Sequence, residues 1–133
     1  MKTAKMLYPD FVDGYYNMES DYHPMLKEFG NILLQEDQLD WSGDSWILYQ
    51  DGERYGYLCF GWGSCSACDA LQSCNLISEI QELMNELQES IKWFDTKQQA
   101  YDWFLTHDWQ AEYFYIYEDS KNFVAKAIDL LSI

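Results

Sequence analysis

Three cysteines lie close together in the run Gly61-Trp62-Gly63-Ser64-Cys65-Ser66-Ala67-Cys68-Asp69-Ala70-Leu71-Gln72-Ser73-Cys74, with the spacing C-x2-C-x5-C. A Cys-x2-Cys turn brings two thiolates to one point. The small neighbours Ser64, Ser66 and Ala67 let backbone N–H groups approach the negative sulfurs. A structural zinc ion takes four such ligands in a closed tetrahedron, with Zn–S distances of about 2.3 Å. Cys65, Cys68 and Cys74 supply three, and a fourth is required. His107, in Thr106-His107-Asp108 at the expected end of a helix, is the preferred candidate. Cys59 is the alternative, although mid-strand among aromatics a thiol packs as a small hydrophobe. Water or a carboxylate such as Asp69 would also close the shell. The alternative to zinc is that the four cysteines are inert, buried thiols. A redox pair of the thioredoxin kind would open a helix after a strand–helix crossover, and that context is missing.

Other chemistry finds little support. The histidines are His23 and His107 alone, and His23 precedes Pro24 at the expected start of a helix. There is no GxSxG, P-loop, GxGxxG or HExxH pattern, and no EF-hand loop. The expectation is a protein that is not an enzyme.

A second pattern is acidic. Glu79, Glu82, Glu86 and Glu89 are spaced 3, 4 and 3 apart, which puts them within an arc of about 80° on a helix. Leu76, Ile80, Leu83, Leu87 and Ile91 take a separate, roughly opposite arc. One face is therefore core and the other a carboxylate stripe about 15 Å long. A solvated helix face usually mixes signs, yet residues 75–91 hold no Lys or Arg. From Asp10 to Glu53 there are eleven acidic residues and one basic, Lys27. Several acids adjoin aromatics, as in Asp40-Trp41 and Asp44-Ser45-Trp46, a pairing that suits a protein interface. Asp40, Trp41, Asp44 and the four-glutamate stripe are the candidate partner-binding residues.

These features must be carried by 133 residues with 23 Asp+Glu, 8 Lys+Arg and a net charge of −15. That balance argues against a phosphate-tracking nucleic-acid binder and against docking on an anionic membrane. It favours solubility and attraction to basic partners. With 48% hydrophobic and 18% aromatic residues, a packed core is expected in one domain spanning 1–133. No apolar run approaches the roughly 20 residues of a membrane span, and none of signal-peptide length follows Met1-Lys2-Thr3-Ala4-Lys5. The expected setting is the cytosol, where clustered cysteines are more often metal ligands than disulfides.

The elements expected to position the candidates follow from local pattern. Pro24 opens a short helix that Gly30 ends. Asn31–Glu36, Ser45–Gln50 and Tyr55–Trp62 read as strands of an antiparallel meander, with Asp51-Gly52 as a hairpin turn. The glycines of the third strand suggest close backbone approach. A helix is expected over Asn75–Phe94 and a second from an Asp95 cap to Thr106. A strand follows at Glu112–Tyr117, then a last helix from Asp119 or Ser120 through Leu131. The sum is an α+β domain: an antiparallel sheet of about four strands, helices packed on one face, and a zinc-stapled loop.

The stretch Tyr55–Leu71, with Gly61-Trp62-Gly63-Ser64-Cys65-Ser66-Ala67-Cys68-Asp69 at its centre, followed by an acidic helix and Lys92-Trp93-Phe94-Asp95, resembles a family of small acidic phage and prophage proteins. That family is associated with anti-CRISPR activity, including zinc-containing inhibitors of the type II-A CRISPR effector nuclease. The resemblance covers about residues 44–110. It implies a protein made during infection in the bacterial host cytosol that binds the nuclease and blocks its use of DNA; a monomer is expected. It also implies Cys65, Cys68 and Cys74 as metal ligands. The alternative is a zinc-stapled phage or bacterial adaptor with another protein partner.

Overall fold

The computed structural model describes residues 1–14, 21–38, 43–63, 69–112 and 117–132. In chain order it forms α1 (Ala4–Leu7), α2 (His23–Leu26, tightening into a 3-10 turn over Lys27–Phe29), β1 (Asn31–Asp37), β2 (Gly43–Asp51) and β3 (Arg54–Trp62). Then come α3 (Ile77–Glu89), β4 (Lys92–Phe94), α4 (Lys97–Thr106), α5 (Trp109–Glu112) and α6 (Tyr117–Leu131). The strands make one antiparallel sheet in the order β1-β2-β3-β4. The α+β class and the three-strand meander match the expectation from sequence. Gly52, in the turn between β2 and β3, takes a φ of +62°, the left-handed conformation that Asp-Gly turns supply.

Register assigns the two faces. Directly opposed residues of antiparallel strands share a face, and Ile47 opposes Leu58 while Leu48 opposes Tyr57. Ile47, Tyr49 and Leu58 pack with α1, α2 and α3 through Ala4, Leu26, Ile80 and Met84. Trp46, Leu48 and Tyr57 pack on the other side with Ala100 and Phe104 of α4, Trp109 of α5 and Phe123 of α6. Helices therefore cover both faces, which corrects the expectation of one. The physical sign was present in β2: Ser45 through Tyr49 are buried without alternation, as happens only where both faces are covered.

The fourth strand is also not the expected one. Glu112 ends α5 and Tyr117 begins α6, so both ends of the expected strand 112–117 are helical. Residues 113–116 lie outside the described residues. β4 comes instead from the end of the long expected helix. That helix stops at Ser90, whose hydroxyl donates to the Glu86 carbonyl at 2.8 Å. Ile91 stays buried in the same cluster as Ile80 and Leu87, so the helical spacing runs on past the helix itself. Trp93 then opposes Gly56 and Phe94 opposes Tyr55. At the other end, Leu76 is 45% exposed and Met84 takes its place in the core. The cap of α4 falls one residue later than expected: Thr96 Oγ1 accepts the Gln99 N–H at 3.2 Å, and Gln99 Oε1 accepts the Asp95 N–H at 3.1 Å.

Gly56 is where close approach is required. A Cβ there would lie 2.8 Å from Ile91 Cγ2 and from the Trp93 ring. Overpacking of this kind costs about 1–3 kcal/mol. Gly56→Ala is therefore expected to lower the free energy of unfolding by that amount in urea titration, whereas Gly52→Ala is expected to act through backbone strain alone.

Candidate functional site

The loop that leaves β3 and enters α3 is organised by a buried carboxylate. Asp69 is 2% exposed. Its Oδ1 accepts the Tyr22 hydroxyl at 2.9 Å and the Gly63 N–H at 3.0 Å, and its Oδ2 accepts the Gln72 N–H at 2.9 Å. Tyr22 Oη in turn accepts the Leu71 N–H at 3.3 Å. Burial raises the Tyr22 phenol above its ordinary range, and the Asp69 charge adds to the rise. Both carboxylate oxygens are committed to these partners, so Asp69 ties the loop to α2 and is not placed as a metal ligand. Reading from sequence missed this role, because its partners lie 47 residues upstream at Tyr22 and 6 at Gly63.

The cysteine loop is described only in part. Cys65 and Cys68 lie outside the described residues. Cys74 is buried in the cluster with α3, and its Sγ donates to the Ala70 carbonyl at 3.3 Å. Burial, with Glu79 and Asp69 nearby, pushes this thiol up to about 11, so it stands protonated at neutral pH. His107 ends α4 on the opposite face of the sheet, stacked on Trp103 with ring centroids 4.3 Å apart and edge-on to Trp109 at 4.8 Å. Cys59 packs against that same opposite cluster. Tetrahedral zinc holds its ligand atoms within about 4 Å of one another. The structure does not bring either fourth-ligand candidate to Cys74, because the sheet lies between them. Among the described residues no group of three or more His, Cys, Asp or Glu side chains could hold a metal ion.

The acidic stripe divides. Glu79 is half-buried, and its Oε1 accepts the backbone N–H groups of Asn75 at 3.0 Å and Leu76 at 2.9 Å. It holds the start of α3, where backbone donors lack helical partners and a negative charge is favoured. Glu82, Glu86 and Glu89 are exposed. Of the second candidate patch, Asp40 and Trp41 lie outside the described residues. Asp44 is half-buried at the start of β2, its carbonyl accepting the Gln38 N–H at 2.9 Å and its N–H donating to Gln38 Oε1 at 3.2 Å. Burial raises its carboxyl above the usual range.

One further concavity stands out on the α2 face. A cleft of about 390 Å³ opens where the segment Asp21–Leu26 meets the ends of β1, β2 and β3. Its walls come from residues that are far apart in sequence, and only the sheet register shows that they meet. His23, read from sequence only as a helix-start residue, lies on its rim.

Fold and site together define an α+β protein with a four-stranded antiparallel sheet between two helical layers and an acidic exposed helix. No protein-family model matches the chain, no curated protein matches it, and no solved structure matches its fold. Among the described residues no helix is long and apolar enough to cross a membrane.

Proposed function

We propose that this protein is a non-enzymatic, acidic inhibitor that binds a basic surface on a protein partner. The carrying observation is its charge. The chain has a net charge of −15, and α3 displays Glu82, Glu86 and Glu89 to solvent with no Lys or Arg in the helix. Like charges at these spacings weaken a helix by a few tenths of a kcal/mol per pair. The packing of α3 through Ile80, Met84 and Leu87 does not call for that cost.

The resemblance of the cysteine loop names the partner: a type II-A CRISPR effector nuclease in the bacterial cytosol. Such nucleases hold guide–target duplex in a positively charged channel. An acidic domain is steered to that channel by long-range attraction and blocks DNA loading once there. A structural zinc belongs to the same proposal through Cys65, Cys68 and Cys74, with water in the fourth position because the sheet separates His107 and Cys59 from Cys74, fixing the loop that joins the sheet to α3. Metal binding in such sites is folding energy.

Co-elution of the purified chain with the nuclease on a sizing column tests the partner. The expected complex forms at low salt and weakens as salt is raised. A salt-insensitive complex, or none, contradicts the electrostatic reading. Capture of some other basic protein in place of the nuclease favours the adaptor alternative. Elemental analysis of reduced, tag-free protein tests the metal. About one zinc per chain is expected, and the absence of stoichiometric metal removes zinc from the account.

A further inference from the structure

The cleft beside α2 combines aromatic faces with fixed carboxylates. The Tyr22 and Phe60 rings lie 4.9 Å apart at 54°, and Trp62 is pinned by its indole N–H, which donates to Ser45 Oγ at 3.1 Å. Ser45, 3% exposed, passes the chain on by donating to Asp37 Oδ1 at 2.5 Å. Gln35 Nε2 donates to the same carboxylate at 3.0 and 3.3 Å. Asp37 is thus held in one orientation beside the rings and, unlike the buried Asp69, is exposed, with Oδ2 carrying only the longer 3.3 Å contact among the described residues and so keeping lone-pair capacity for a further donor. Across the opening, Asp21 Oδ1 accepts the His23 N–H at 3.1 Å.

No lysine or arginine appears among the described lining residues, and the sequence has none in 6–26, 28–53 or 55–91. The cleft therefore presents negative charge and electron-rich ring faces with no lysine or arginine among its described lining residues to answer them. That combination repels anions and attracts an organic cation with a flat or apolar body. A planar guanidinium satisfies both parts, stacking on a ring while its forked N–H groups meet a carboxylate. The volume lies at the small end of ligand pockets, enough for one long side chain with its flanking backbone.

We propose that this cleft receives an arginine side chain from the basic partner, with the guanidinium set between Asp37, Asp21 and the Tyr22–Phe60–Trp62 wall. The source of the arginine rests on the function proposed above, whereas the cleft's chemistry can be tested on the isolated chain. The test is titration of the isotope-labelled protein with N-acetyl-arginine amide, read by the tryptophan indole N–H signals in NMR. N-acetyl-citrulline amide serves as the uncharged isostere and N-acetyl-lysine amide as the point-charge cation.

Saturable shifts are expected with the arginine probe, with a dissociation constant on the order of 1–10 mM. Binding of the citrulline and lysine probes is expected to be weaker by at least about tenfold and threefold, respectively. Asp37→Asn and Asp21→Asn should each weaken arginine binding, while Asp129→Asn, which changes net charge equally at an exposed position of α6, should leave it unchanged. Thermal melts of each variant confirm folding. Equal binding of arginine and citrulline, no saturable shift, or equal losses in Asp129→Asn and Asp37→Asn would overturn the site. Arginine binding without nuclease binding would reject the partner and keep the cleft. Nuclease binding unaffected by Asp37→Asn and Asp21→Asn would reject the cleft as the contact and keep the partner.

Discussion

Replacing Asp69 with alanine is expected to destabilise the protein by about 3–5 kcal/mol, the largest single-residue effect on stability in this account. The substitution strands the backbone N–H groups of Gly63 and Gln72 and removes the acceptor of the Tyr22 hydroxyl. Each buried donor left without a partner costs about 1–3 kcal/mol. Asp69→Asn keeps one oxygen and loses the other, so about half that loss is expected. Tyr22→Phe removes one hydrogen bond and should cost about 1 kcal/mol. Urea denaturation of the three variants reads this order directly. An Asp69→Ala protein within 1 kcal/mol of wild type would mean that the carboxylate does not hold the loop.

The second large effect is on binding. Reversing Glu82, Glu86 and Glu89 together to lysine changes the net charge from −15 to −9 and inverts the exposed face of α3. Partner association at low salt is expected to slow by tenfold or more, with little change in folding stability. Single Glu→Gln changes on this face should matter little, because exposed charges are each worth at most about 1 kcal/mol. Glu79 is excluded from the set because its carboxylate accepts the Asn75 and Leu76 N–H groups. Its reversal would confound loss of binding with loss of the α3 cap. A folded triple variant that binds at the wild-type rate would make α3 a solvated face only. The interface would then be sought at the cleft beside α2.

The parts of the fold legible in the sequence are those set by local pattern. Asp51-Gly52 between two apolar runs gives the β2–β3 hairpin, because the turn needs one left-handed residue and the runs pair around it. The α3 core face follows from helical spacing through Ile80 and Leu87. Errors arose where tertiary packing overrode local period. Ile91 continues the helical spacing past the end of α3, just before β4, because it packs in the same core cluster as Ile80 and Leu87. The expected strand at 112–117 has alternating residues, yet its ends belong to α5 and α6.

The site was legible in its chemistry more than in its geometry. The charge of α3 is visible in sequence, but the division of labour between Glu79 and its neighbours depends on which backbone donors lie within reach. The cleft unites Asp21 and Asp37 with Trp62 through sheet register and the docking of α2, and no spacing rule encodes either. His107 and Cys74 illustrate the converse. Their residue types invite a shared metal, while the sheet puts them on opposite faces.

The most direct test of the central claim is cleavage of target DNA by a purified, guide-loaded type II-A nuclease at low salt, after preincubation with this protein. Protection is expected to rise with protein concentration, to fade with added salt, and to be lost when DNA is bound before the protein is added. Unimpaired cleavage at saturating protein, with no complex detectable under the same conditions, would contradict it.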